Sequence, residues 1–134
     1  MTAPATRFAP NYRERLSVPY DHAAQSATAS YKIGAIRDRV LRVDNVWYDN
    51  PTGFAADPAA YWTIAITDGT NTLASWSTRS TLQGALTADT PVYLLLNATH
   101  TDADQGSNLV VTFTKTGAPA NLPAGRLFVD GHAL

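Results

Sequence analysis

Residues 61–77, which read YWTIAIT-DGTN-TLASWS, decide the fold class. In the first run, apolar side chains recur at every second position, at Trp62, Ile64 and Ile66. This alternation is typical of a β-strand with one buried face. The Asp-Gly pair that follows is a turn signal, after which a second short apolar run begins. The stretch therefore predicts a β-hairpin with arms at 61–67 and 72–77, and Leu73 and Trp76, which differ in parity, predict a bulge in the second arm.

Similar short runs extend over residues 31–134, and they predict strands at 31–36, 39–48, 92–98, 109–115 and 126–132. Leu41, Val43 and Trp47 fall on one parity of the second of these runs. Seven or eight short strands joined by loops, without a long amphipathic helix, predict an antiparallel β-sandwich or barrel. The shared parity predicts a core that contains Trp62, Ile64, Ile66, Leu94, Leu96, Val111 and Phe113.

The composition narrows the class of protein. The chain has 134 residues, 45% of them hydrophobic and 16% charged, with no cysteine and a net charge of −1. This length suits one domain that can bury a substantial core. The missing cysteines exclude a disulfide scaffold and thiolate metal ligation. The near-zero charge argues against nucleic acid as a partner, and no apolar run is long enough to predict a membrane span or a signal peptide.

Residues 1–30 differ from the rest and are predicted to form an extended N-terminal arm and linker ahead of a sandwich domain at 31–134. Prolines interrupt any helix there, and residues 1–42 carry a net charge of +4 against −5 for residues 43–134. The arm is expected to lie either on its own domain or on a neighbouring subunit. Its apolar and basic side chains are candidate interface residues: Arg7, Phe8, Tyr12, Arg13, Arg15, Leu16 and Tyr20.

Two adjacent aromatic pairs, Trp47-Tyr48 and Tyr61-Trp62, each place one ring on either face of a strand. One ring of each pair can fill the core, and the other needs different cover. Tyr48 and Tyr61 are therefore further candidate interface residues. The alternatives are shielding by the arm or a loop, and a stacking platform for a sugar or a base.

The residues show no pattern typical of catalysis or metal binding. His100, Asp102, Asp104 and Asn108 miss the spacing of a calcium loop. The three histidines are scattered, no G-x-S-x-G occurs, and Glu14 is the only glutamate. We therefore expect no enzyme activity, no cofactor and no bound metal.

Several strings resemble small jelly-roll proteins encoded beside the major capsid protein of tailed bacteriophages, which are capsid decoration (cement) proteins. These strings are RVLRVDNVWYDNPTGFAAD at 39–57, the hairpin beginning at Tyr61, ASWST at 74–78, and NLPAGRLFVDG at 121–131. The resemblance covers residues 31–134.

The resemblance implies a jelly-roll sandwich without catalysis that binds the outside of a capsid and bridges capsomers. Its partners would be the major capsid protein and further copies of itself in a homodimer or homotrimer, assembled in the cytoplasm of a bacterial host. Two alternatives stay open. One is a carbohydrate-binding or fibre-tip sandwich of a phage, and the other is a cupin-type enzyme, against which the isolated histidines argue.

Overall fold

The computed structural model describes residues 15–36, 40–99, 102–104 and 106–134, which form strands, turns and loops. Two antiparallel sheets contain ten strands. The strands are β1 (Arg15–His22), β2 (Ala29–Ala35), β3 (Leu41–Asp49), β4 (Tyr61–Thr67), β5 (Thr72–Ser77), β6 (Val92–Tyr93), β7 (Leu95–Leu96), β8 (Asp102–Ala103), β9 (Asn108–Thr116) and β10 (Gly125–Ala133). Sheet 1 has the order β1-β10-β3-β6, with β8 also beside β3, and sheet 2 has the order β2-β9-β4-β5-β7.

Five of the eight described strand pairs are nested along the chain. The first strand pairs with the last, β2 pairs with β9, β3 pairs with β8 and β6, and β4 pairs with β5. This is a long antiparallel ribbon wound into two facing sheets, the arrangement of a jelly roll. The predicted fold class, an all-β antiparallel sandwich, is confirmed.

The β4–β5 hairpin occupies the predicted residues. Its turn is held by Asp68, whose Oδ1 accepts the N–H groups of Thr70 and Asn71 at 2.9 and 2.7 Å. Gly69 takes the positive φ of 93° that this turn requires. The register shifts between Ile66 and Thr67 so that Leu73 is the extra residue, which confirms the predicted bulge.

The core lies between the two sheets and contains most of the predicted residues. Six of the seven are buried, and Leu96 is half-buried. The reason is that the run 92–98, predicted as one strand, divides between the sheets. Its first part, β6, pairs with β3, while β7 pairs with β5. Leu94 is buried at the crossing, where its N–H donates to the carbonyl of Val46 at 2.8 Å.

The described part of the predicted arm belongs to the sandwich. Residues 15–22 form β1, which pairs with β10 over its whole length, and the predicted boundary at residue 30 falls inside β2. Pro19 is compatible with this position because β1 is the edge strand of sheet 1. Residues 1–14, with Arg7, Phe8, Tyr12 and Arg13, lie outside the described residues.

β1 is fastened to the core by a buried histidine. His22 is 3% exposed, and its ring stacks on Tyr48 of β3 and lies 4.5 Å from the ring of Phe113 in sheet 2, centre to centre. His22 Nδ1 donates to the carbonyl of Ala23 at 2.7 Å, so Nε2 accepts from the Tyr48 hydroxyl at 2.6 Å. Asn50 Nδ2 donates to the same hydroxyl oxygen at 3.0 Å. The network is complete when His22 is neutral.

Truncation of the central aromatic ring tests the core. Phe113 is fully buried against both sheets, so Phe113→Ala should lower the free energy of unfolding by about 3–5 kcal/mol. Leu82→Ala, at a position 57% exposed, is the control and should change it by less than about 0.5 kcal/mol. A urea titration measures both, and equal small losses would contradict the described register of β9.

Acidification tests the His22 network. Burial, the largest cause, lowers the pKa of His22 below its ordinary value of 6.5. As pH falls below 6.5, the unfolded chain takes up a proton that the folded chain resists, so the stability contributed by neutral His22 is lost. Between pH 7.5 and 5 the free energy of unfolding should fall in the wild type. It should vary less with pH in His22→Gln, and parallel curves for the two proteins would contradict this role.

Candidate interaction surfaces on the two sheet faces

A row of three aromatic rings and one proline, which we call the aromatic row, crosses the outer face of sheet 1. It consists of Pro19, Phe128, Trp47 and Tyr93, which stand directly opposite one another on β1, β10, β3 and β6. The Trp47 ring centre lies 5.8 Å from that of Phe128 and 5.9 Å from that of Tyr93. Trp47 is 37% exposed and Tyr93 is 64% exposed. The row is therefore a continuous apolar strip, one side chain wide, on an otherwise polar face.

A bulge in β3 turns Trp47 outward. The sequence predicted Trp47 on the same face as Leu41 and Val43. In the structure Asp130 pairs with Asn45 and Gly131 with Val43, so Asp44 is an extra residue. Beyond it the parity reverses, which corrects the prediction.

The same reversal of parity shows that the prediction of Tyr48 as an interface residue is wrong. Tyr48 is completely buried in the His22 network, so it cannot contact a partner. The exposed ring of its pair is Trp47.

Polar residues line both sides of the aromatic row. On one side Asp21, Arg126 and Asp49 are in register across three strands. Arg126 holds both Asp21 oxygens, with Nε 2.5 Å from Oδ1 and Nη2 3.3 Å from Oδ2, and its guanidinium lies 5.7 Å from the centre of the Phe128 ring. The hydrogen bond from Arg126 lowers the pKa of Asp21. This carboxylate is therefore ionised and oriented at neutral pH.

On the other side of the row stand Ser17, Asp130 and Asn45, again in register. Trp47 Nε1 donates to Asp130 Oδ2 at 3.1 Å, which fixes the indole. The ring faces of the row are thus apolar, while hydrogen-bonding groups follow both of its edges.

Ion pairs occupy the far end of the same face. Arg42 binds both Asp102 oxygens at 2.7 and 3.0 Å, and the hydrogen bond lowers the pKa of Asp102. Asp44 accepts from His132 at 2.8 Å and lies 3.7 Å from Arg15.

One of these contacts engages Asp102, a member of the cluster that misses the spacing of a calcium loop. Asp102 is bound to Arg42, and His100 lies outside the described residues. In the part of the chain that the structure describes, no group of three or more acidic or histidine side chains could hold a metal ion.

The outer face of sheet 2 has a different chemistry. A row of small side chains runs across it in register and ends in an exposed leucine: Ser30, Thr112, Ala65, Ser75 and Leu95. Threonines and a valine flank this row at Thr63, Thr67, Val110 and Thr114. Two described charged side chains lie on this surface, which we call the threonine face. Lys32 stands on the edge strand β2, and the guanidinium of Arg79 lies over the ring of Tyr61, at the start of β4 on the same face as Thr63.

The remaining predicted interface residues are dispersed. Arg15 and Leu16 are exposed at the start of β1, and Tyr20 is half-buried with its ring 6.2 Å from that of Tyr31. Tyr61 is half-buried on β4, where the Arg79 guanidinium lies 5.7 Å from its ring centre. The structure does not bring these side chains into one surface. No local sequence pattern indicates that Phe128 and Tyr93 join Trp47, because their contact depends on strand register.

An open groove of about 460 Å³ lies between the loop at 53–60 and the loop at 118–123, and alanine and proline make up much of its lining. Asp57 borders it, with Oδ1 accepting the N–H groups of Ala59 and Ala60 at 2.8 Å. In the described ranges no helix is long and apolar enough to cross a membrane.

Comparison with known proteins finds little similarity. No protein-family model matches the sequence, and no curated protein matches it. Among solved structures, a chain of "Structure of infectious bursal disease virus Gx strain" matches with 8% sequence identity and a TM-score of 0.35. The match covers 90% of this chain and 32% of that one, so this chain spans about a third of its length.

Proposed function

We propose that this protein is a structural component of a phage virion, a decoration protein that binds the outer surface of the capsid and bridges neighbouring capsomers. The sequence resemblance at 39–57 and 121–131 suggests this role, and the jelly-roll fold is compatible with it. The proposed partners are the major capsid protein and further copies of this chain in a dimer or trimer. The proposed location is the capsid exterior, after assembly in the bacterial cytoplasm.

The observation that carries the proposal is the threonine face, which we infer to be the capsid contact. The cores of protein interfaces are depleted of charged residues, because a charge that is buried without a partner costs free energy. Lys32 stands on the edge strand β2 and Arg79 lies beside the first residue of β4, so the central row from Thr112 to Ser75 avoids this cost. The face is also level, because its central row carries only small side chains between Ser30 and Ser75.

Binding through the threonine face also costs little side-chain entropy. Threonine and valine are restricted at χ1 by their branched Cβ, and alanine has no side-chain rotamers to lose. Association orders side chains at an entropic cost, which this composition keeps small. Ser30 Oγ and Thr112 Oγ1 form a hydrogen bond of 3.0 Å, so each of these hydroxyls already has one partner within the face.

The N-terminal residues are a second proposed contact. Arg7, Phe8, Tyr12 and Arg13 precede β1, at the edge of sheet 1. Aromatic and arginine side chains are the usual hot spots of binding, and arginine steers association with an acidic partner. We propose that this segment contacts the capsid or a neighbouring copy, with Arg15 and Leu16 continuing the contact.

A charge placed on the threonine face tests the proposal. Ala65→Arg puts a cation at the centre of the face, and Asn45→Arg puts one on the outer face of sheet 1 as a matched control. Both should fold, because both side chains point to solvent. In co-sedimentation with capsids of the encoding phage that lack this protein, Ala65→Arg should bind at least tenfold more weakly than the wild type, and Asn45→Arg should bind normally.

Two outcomes would contradict the proposal. One is wild type that fails to co-sediment with these capsids. The other is that Ala65→Arg binds as well as the wild type, which would show that the threonine face is not the capsid contact. Ser75→Arg, one strand away in the same row, replaces Ala65→Arg if circular dichroism shows that the latter is unfolded.

A further inference from the structure

We propose that the aromatic row on sheet 1 binds a neutral carbohydrate chain, laid across the strands from Tyr93 toward Pro19. This goes beyond capsid binding, because the row lies on the sheet face opposite to the threonine face. A copy bound to a capsid by sheet 2 would present the row outward. The shape of the row, its two polar edges and the charge around it all favour this ligand.

The shape of the row fits a linear chain. Three strand spacings separate Pro19 from Tyr93, which is roughly 14 Å at about 4.8 Å per spacing. Rings follow one another at 5.8 and 5.9 Å along this line, and the row is one side chain wide. Successive sugar units could therefore stack on successive rings, as bases stack on the aromatic platforms of single-strand binding proteins.

The edges of the row fit the hydroxyl groups of a sugar. A pyranose ring has apolar C–H faces and a rim of hydroxyls, each of which both donates and accepts a hydrogen bond. On one edge, Asp21, Arg126 and Asp49 alternate as carboxylate, guanidinium and carboxylate. Oδ1 of Asp49 is buried, so Oδ2 is the Asp49 oxygen that a ligand would use. Arg126 uses Nε and Nη2 for Asp21 and keeps further N–H donors free. Hydroxyls of successive sugar units, which both donate and accept, can bind such alternating groups.

The opposite edge supplies the same kinds of group. Ser17, Asp130 and Asn45 offer hydroxyl, carboxylate and amide groups in register. Asp130 also holds the indole N–H of Trp47, so the indole is oriented before a ligand arrives and its face remains available for stacking. A preorganised site loses less entropy on binding.

The charge around the row favours a neutral ligand. Three carboxylates, Asp21, Asp49 and Asp130, flank the row with one guanidinium, Arg126. Nucleic acids also stack on aromatic rings, but their phosphates would meet this excess of negative charge. A neutral sugar chain carries no charge, so these carboxylates do not repel it.

The test titrates the full-length wild-type protein with hexasaccharides of β-1,4-linked glucose, β-1,4-linked N-acetylglucosamine and α-1,4-linked glucose, followed by calorimetry and tryptophan fluorescence. At least one should bind and shift the emission, because Trp47 lies in the row. Tyr93→Ala and Trp47→Ala should each weaken binding at least tenfold. Leu95→Ala, which removes a side chain 62% exposed on the other sheet face, is the matched control and should bind normally.

The outcomes separate this site from the proposed capsid contact. Tyr93→Ala should lose the oligosaccharide and keep capsid binding, whereas Ala65→Arg should do the reverse. The proposal is overturned if none of the three hexasaccharides binds, or if Tyr93→Ala binds them like the wild type. Binding of a single-stranded oligonucleotide or of the capsid through the row, in place of sugar, would also overturn it. Tyr93 is 64% exposed, so its truncation keeps the test valid should Trp47→Ala unfold.

Discussion

The extra residue in β3, at Asp44, is the constraint on which both sides of sheet 1 depend. It reverses the alternation of the strand, so that Val46 and Tyr48 point into the core and Trp47 points out. The facing strand accommodates it with a glycine: a Cβ on Gly131 would collide with the carbonyl oxygen of Arg42 and approach Leu41 Cδ1 to 3.0 Å. Without the bulge, Trp47 would point inward and the outer row would lose its centre.

The bulge also determines the core side of sheet 1. An inward Tyr48 lets its hydroxyl join His22 to Asn50, whose amide also donates to the carbonyl of Pro123 at 2.8 Å. One hydrogen-bond network thus joins three separated segments, at residues 22, 48–50 and 123, and holds β1 against the core. The two faces of the sandwich can then differ: sheet 1 carries rings between polar edges, and the centre of sheet 2 carries a row of small uncharged side chains. We infer a different partner for each.

The sequence predicted the parts of the fold that local patterns determine. The β4–β5 hairpin, the bulge at Leu73 and most of the core follow from alternation and a turn signal within a few residues. Local patterns could not show that the run 92–98 changes sheets at Leu94, or that residues 15–22 pair with a strand more than a hundred positions away. The aromatic row was equally hidden, because Phe128 and Tyr93 meet Trp47 only through register, and the bulge that exposes Trp47 leaves no sign in a simple alternation.

The direction of the two adjacent rings in β3 tests this account most directly. In a nuclear Overhauser spectrum of the isotope-labelled protein, the Trp47 ring protons should show cross-peaks to the rings of Phe128 and Tyr93. The Tyr48 ring should show cross-peaks to His22. Cross-peaks from Trp47 to core residues such as Ile64, together with a Tyr48 ring free of contacts to His22, would show that β3 has no bulge and that the outer face described here does not exist.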